Sequence, residues 1–200
     1  MQAHLTVNPG FLEGRQLWQP VTALFVHTSQ TAFVSFLFDM IGLWWVGTTV
    51  ERTQGTPRFL TMFLVAGVLG NVAAALVSRA CGAPAMYDGC SMPVLALFVA
   101  YGRLYGREMT QVFGALVLQA RHVALFFVAL ALLMDLFQGF HGDWGSLAGT
   151  LVAIAVGYIG AAPGGLRELR DYLRVRRLRR RYRVLEGGAS RRGRSAKYWN

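Results

Sequence analysis

Long apolar runs alternate with short polar breaks along most of the chain, and this pattern predicts membrane-spanning helices. Several of the runs approach the ~20 residues that an α-helix needs to cross a ~30 Å hydrocarbon layer. The five apolar windows fall at about residues 31–50, 59–78, 90–105, 121–139 and 145–162. We therefore expect an all-α polytopic bundle at 21–162, preceded by an external segment at 1–20 and followed by a tail at 163–200.

The composition supports a membrane protein. Hydrophobic residues make up 54% of the chain and charged residues 15%, whereas globular domains average about 25% charged residues. Such a chain has too little charge to cover a water-facing surface, and its apolar content excludes disorder. Two cysteines, Cys81 and Cys90, are too few for a disulfide framework and lack zinc-type spacing, so we expect free thiols, no metal and no cofactor.

The positive charge is concentrated in the tail and predicts the orientation of the bundle. From residue 163 onward there are 13 Lys and Arg, and the connections 51–58 and 103–121 hold five more arginines, against Arg15 and Arg79 on the opposite side. Because cytoplasmic connections carry the excess of basic residues, the tail is predicted to be cytoplasmic and the loop before residue 90 external. Residues 1–20 do not have the pattern of a signal peptide.

The part of the tail from Leu166 to Arg183 is predicted to be a basic helix on the inner leaflet, with apolar residues spaced among arginines. Each basic residue near an anionic surface contributes ~1 kcal/mol, so anionic lipids are the expected partner. Nucleic-acid binding is disfavoured because the membrane body already accounts for the charge. The arginines expected to contact lipid are Arg176, Arg177, Arg179, Arg180 and Arg181.

Several motifs, read in order, resemble the rhomboid family of intramembrane serine proteases over about residues 8–162. The family's Trp-Arg-x-x-Thr loop and Phe-x-His are similar to Trp18–Thr22 and Phe25–His27, with Gln19 in place of the arginine. The family's Gly-x-Ser-Gly is similar to Gly89-Cys90-Ser91, with Met92 in place of the last glycine. The segment 145–149 resembles the small-residue face of the last core helix, with Gly145 and Gly149 in packing positions. By the same resemblance, we expect this chain to lack the family's first helix, either because an upstream segment is absent from the sequence or because the protein is a five-span variant.

The resemblance implies roles for individual residues, and several of these positions are altered. Ser91 occupies the nucleophile position, while the position of the family's histidine base falls on Gly142. The nearest imidazole is His141, and one residue corresponds to a rotation of ~100° on a helix. In the oxyanion positions the family's histidine and asparagine become Ser35 and Asp39, and Gly89 and Cys90 are expected to line the site with them. An ionised Asp39 only accepts hydrogen bonds and would repel an oxyanion, whereas an Asp39 protonated by burial could donate one bond.

Asp39 is also an ionisable group within a span, so we expect it to face the bundle. Its carboxyl group either contacts a client helix or takes a proton, or it simply bonds to a neighbouring helix near Ser35 or Asn71. Asp135, near the outer end of its span, is expected to contact solvent.

Residues that pack the fold are largely kept, whereas residues that carry the chemistry are mostly changed. We therefore expect a rhomboid-like pseudoprotease that recognises transmembrane segments of client proteins without efficient proteolysis. One alternative is an active protease in which His141 takes the proton from Ser91. A second is a small membrane transporter or channel that depends on Asp39.

Overall fold

The computed structural model describes residues 4–8, 11, 13–14, 16–28, 32–82, 86–112 and 116–162. These residues form a helical bundle with one short β-hairpin. The predicted tail, including its five lipid-facing arginines, lies outside the described residues. The elements in chain order are α1 (Gln19–Thr22), α2 (Ala32–Gly42), α3 (Thr48–Gln54), α4 (Thr56–Ala80), α5 (Ser91–Leu104), β1 (Met109–Val112), β2 (Leu116–Gln119), α6 (Ala120–Phe140) and α7 (Gly145–Gly160).

Three stretches are long and apolar enough to cross a membrane: Phe33–Gln54, Thr56–Ala80 and Ala120–Phe140. The first joins α2 to α3 through a π-helical turn at Leu43–Gly47, and such turns add a bulge within a continuous helix. α5 and α7 are apolar but have 14 and 16 residues, which gives lengths of about 21 and 24 Å. α5 and α7 lie among the longer helices. The predicted bundle is therefore present, and these two of its helices are short.

Small residues set the spacing at the centre of the bundle, where α7 packs against α4, α5 and α6. A Cβ atom added to Gly149 would lie 2.9 Å from the carbonyl oxygen of Gly70, and one added to Gly157 would lie 2.9 Å from the Cα of Ala96. Backbone atoms cannot yield as a flexible side chain does, so these glycines allow the helix axes to approach closely.

Met92 fills part of the same interface. A Cβ added to Gly149 would lie 2.9 Å from its sulfur, and one added to Gly70 would lie 2.7 Å from it. The methionine at the family's glycine position is therefore accommodated by two glycines on facing helices.

The connections lie at two ends of the bundle. At one end the N-terminal segment pairs with the loop before α5, since Val7 and Tyr87 exchange two backbone hydrogen bonds of 3.0 Å. At the other end the side chain of Gln54 donates to the carbonyl of Gly160. The connections therefore lie at the same two ends of the bundle that the prediction of orientation from charge assumed. Which end faces the cytoplasm stays a prediction.

The β-hairpin was not predicted, because residues 103–121 were interpreted as a basic connection. Its strands pair antiparallel, with Met109 opposite Gln119. The Tyr101 hydroxyl donates to the Thr110 side chain at 2.7 Å, which ties the hairpin to α5. The strands are too short to change the all-α class.

Candidate active site and its cavity

A cavity of about 880 Å³ opens between α2, α5, α6 and the start of α7. Ser91, the first residue of α5, lines it together with Ser35 and Asp39 from α2. The predicted nucleophile and the two predicted oxyanion positions therefore border one space. Neither serine has a hydrogen-bond partner for its side chain among the described residues.

The loop that carries Ser91 is held by backbone and side-chain bonds. Gly89 has a φ of +86°, a conformation that favours glycine, and its N–H donates to the carbonyls of Ala23 and Val26 at 2.9 and 2.8 Å. One residue earlier, the carboxylate of Asp88 accepts from the backbone N–H of Thr28 at 2.7 Å. These bonds fix the start of α5 against the segment that precedes α2.

A second set of bonds joins this loop to α4 and α7 through Asp143. Its Oδ1 accepts hydrogen bonds from Tyr87 Oη at 2.5 Å, Ser78 Oγ at 3.0 Å and the Gly145 N–H at 3.1 Å. Burial and the bond to Asp143 raise the pKa of Tyr87, so the phenol stays a donor over the physiological range. Sequence reasoning missed this role for Asp143, since Ser78 and Tyr87 are 65 and 56 residues away along the chain.

On the α7 side, the side chains that line the cavity are Ser146 and Thr150. Gly142 lies in the turn before α7 with a φ of +100°, and Ser146 in the first turn of α7 borders the same cavity as Ser91. Among the described residues that line the cavity there is no histidine.

His141 lies outside this cavity. It follows the last residue of α6, its Nδ1 donates to the carbonyl of Phe137 at 2.8 Å, and its ring packs on the Phe137 ring. It borders a separate space of about 310 Å³ with Gln138 and Asp143. The structure thus does not bring the imidazole of His141 together with the hydroxyl of Ser91.

The hydrogen-bond partners of Asp39 are His27 and Cys90 rather than Ser35 or Asn71. Its Oδ2 is 3.2 Å from His27 Nε2 and 3.5 Å from Cys90 Sγ. The side chain of Asn71 donates instead to the carbonyl of Pro20. Asp39 therefore supplies an acceptor at the position where the resemblance places an oxyanion donor.

Asp135, one of four aspartates that line the cavity, was expected to contact solvent. It is 8% exposed and lines the cavity, so that expectation was wrong. The helix turns its carboxyl toward α7 instead of toward the membrane surface. Its Oδ2 has no hydrogen-bond partner among the described residues.

Comparison with known proteins agrees with this architecture. The sequence profile of the Rhomboid domain matches residues 14–163, which is most of the chain. The chain belongs to the rhomboid family. The family assignment and the apolar helices together make it an integral membrane protein.

Two curated rhomboid proteins show the extent of the likeness. The chain is 30% identical over 94 residues to the rhomboid protease GluP of Bacillus subtilis, a match over 46% of this chain and 18% of that protein. It is 33% identical over 57 residues to a rhomboid protease GlpG homolog of Cronobacter sakazakii, over 28% of this chain and 20% of that protein. The matches thus span about a fifth of each relative.

Proposed function

We propose that this rhomboid binds transmembrane segments of client membrane proteins and does not cleave them efficiently. A serine hydroxyl is a weak nucleophile unless a base within hydrogen-bond reach takes its proton. The observation that carries the proposal is the cavity around Ser91, whose described lining includes no histidine and where the α7 side chains are Ser146 and Thr150. Neither hydroxyl is a base at neutral pH.

The oxyanion side of the site supports the same conclusion. Stabilisation of a tetrahedral intermediate needs preorganised donors aimed at the developing charge. Asp39 contributes an acceptor there, and its own oxygen is occupied by His27 and Cys90. Removal of one donor from an oxyanion hole costs about 10²–10³ in kcat. Loss of the base adds to that cost.

The walls of the cavity suit a client helix. Phe126, Leu130 and Met134 of α6 line it, yet are 62%, 39% and 59% exposed, so this wall is apolar and open on one side. Polar groups on the opposite wall include Ser91 and Ser146. A helix that enters from the bilayer would contact apolar residues first and find hydrogen-bond partners where its own backbone is unwound.

Photo-crosslinking in liposomes tests this binding. A benzophenone amino acid at Leu130 is expected to crosslink to a single-span peptide that carries a Gly-Pro break, without producing fragments. The matched control is the same label at Leu69, a leucine of α4 that is 48% exposed and lies outside the cavity lining. Equal crosslinking from both positions would refute binding at the cavity. Fragments that disappear in Ser91→Ala would favour the active protease.

A further inference from the structure

Three side chains with metal-binding atoms meet beside the loop of Ser91. His27 follows the short helical segment at the N-terminal end, Asp39 lies in α2, and Cys90 directly precedes α5. One ligand atom from each residue lies within 4.8 Å of the other two. The cluster joins three segments that are far apart in sequence.

Two of the three separations are close to those of a tetrahedral metal site. Typical zinc bonds are about 2.0–2.1 Å to imidazole nitrogen, 2.0–2.2 Å to carboxylate oxygen and 2.3 Å to thiolate sulfur. With tetrahedral angles these lengths place nitrogen and oxygen about 3.4 Å apart, and oxygen and sulfur about 3.6 Å apart. The observed separations are 3.2 Å and 3.5 Å. The third separation, between His27 Nε2 and Cys90 Sγ, is within 4.8 Å, whereas a tetrahedral site needs about 3.6 Å. An ion therefore fits once the side chains of His27 and Cys90 approach each other by up to about 1 Å.

Burial and charge favour an ion at this place. Cys90 is 4% exposed, and the side chains of His27 and Asp39 are 12% and 11% exposed. A thiolate and a carboxylate together balance the charge of a divalent cation, which removes the cost of burying unpaired charge. Gly89 also lets the backbone lie against the imidazole, since a Cβ there would be 3.1 Å from His27 Nε2.

We propose that His27, Asp39 and Cys90 bind a divalent transition metal ion. One nitrogen, one oxygen and one sulfur ligand match zinc, and three protein ligands leave a fourth position for water. The ion would link the start of α5 to α2 and would thereby fix the position of the loop that carries Ser91. This binding does not depend on whether the protein recognises clients.

Cobalt(II) is the spectroscopic probe for the site. The full chain in detergent, first stripped with a chelator, is expected to bind one equivalent and to show a thiolate-to-cobalt charge-transfer band. Cys90→Ser should abolish the band, whereas Cys81→Ser should keep it, because Cys81 is exposed and is not a member of the cluster. His27→Ala should weaken binding by more than the roughly 10–100-fold lost with an outer-shell partner.

Thermal unfolding supplies a readout that is independent of the band. Zinc should raise the Tm of the wild type and of Cys81→Ser, and leave the Tm of Cys90→Ser unchanged. Size-exclusion profiles establish that each variant is folded. The proposal is overturned if folded wild-type protein gives no stoichiometric thiolate band, or if Cys90→Ser retains it.

Discussion

Replacement of Asp143 by alanine is predicted to destabilise the bundle, because this carboxylate joins three segments. It accepts from Tyr87, Ser78 and the Gly145 N–H, and Ser78 and Tyr87 are 1% and 7% exposed. After the substitution these two hydroxyls still bond to each other. One buried hydroxyl and one backbone N–H then lose their acceptor.

The magnitude follows from those two losses. A bond to a charged acceptor contributes about 1.5–3 kcal/mol, and a buried donor without a partner costs about 1–3 kcal/mol. We expect Asp143→Ala to lower the free energy of unfolding by about 2–4 kcal/mol. For a chain of this size that corresponds to a fall in Tm of about 4–16 °C. Asp143→Asn keeps an acceptor and should lose less than half as much.

Titration of the detergent-solubilised protein with sodium dodecyl sulfate, followed by circular dichroism, measures these free energies. A double-mutant cycle with Tyr87→Phe isolates the bond between the phenol and the carboxylate, and a coupling of about 1–3 kcal/mol is expected. The reasoning is refuted if Asp143→Ala unfolds at the wild-type midpoint. Additive effects of the two substitutions would refute the direct bond.

Two further predictions concern packing and thiol exposure. Gly157→Ala should destabilise by about 1–3 kcal/mol, because the new methyl group meets the backbone of Ala96. Gly160→Ala meets only a flexible methionine side chain and should cost less in the same titration; equal costs would contradict the rigid contact. In folded protein without added metal, a maleimide should modify Cys81 rapidly and Cys90 slowly, since the first is exposed and the second buried. Mass spectrometry of Cys81→Ser and Cys90→Ser measures each rate, and equal rates would contradict the burial of Cys90.

Most of the fold could be predicted from the sequence, because apolar windows report directly on membrane helices. The window at 121–139 lies within α6, and the window at 59–78 lies within α4. The hairpin was missed because its two strands have four residues each, too few for periodicity to separate a strand from a loop.

The site was predictable only in part. The resemblance located Ser91, Ser35 and Asp39, which the structure places around one cavity. Counting residues along the chain could not predict where His141 lies relative to Ser91, because the turn before α7 contains Gly142 in a positive-φ conformation. The cluster of His27, Asp39 and Cys90 could not be predicted from the spacing of these residues in the sequence, because they come from three separate segments.

The central claim is that Ser91 lacks the activating histidine of a rhomboid protease, and a serine-directed fluorophosphonate probe tests it most directly. Wild-type protein in detergent should remain unlabelled, as should Ser91→Ala, beside an active rhomboid protease that labels under the same conditions. Labelling of the wild type that is lost in Ser91→Ala would contradict the account.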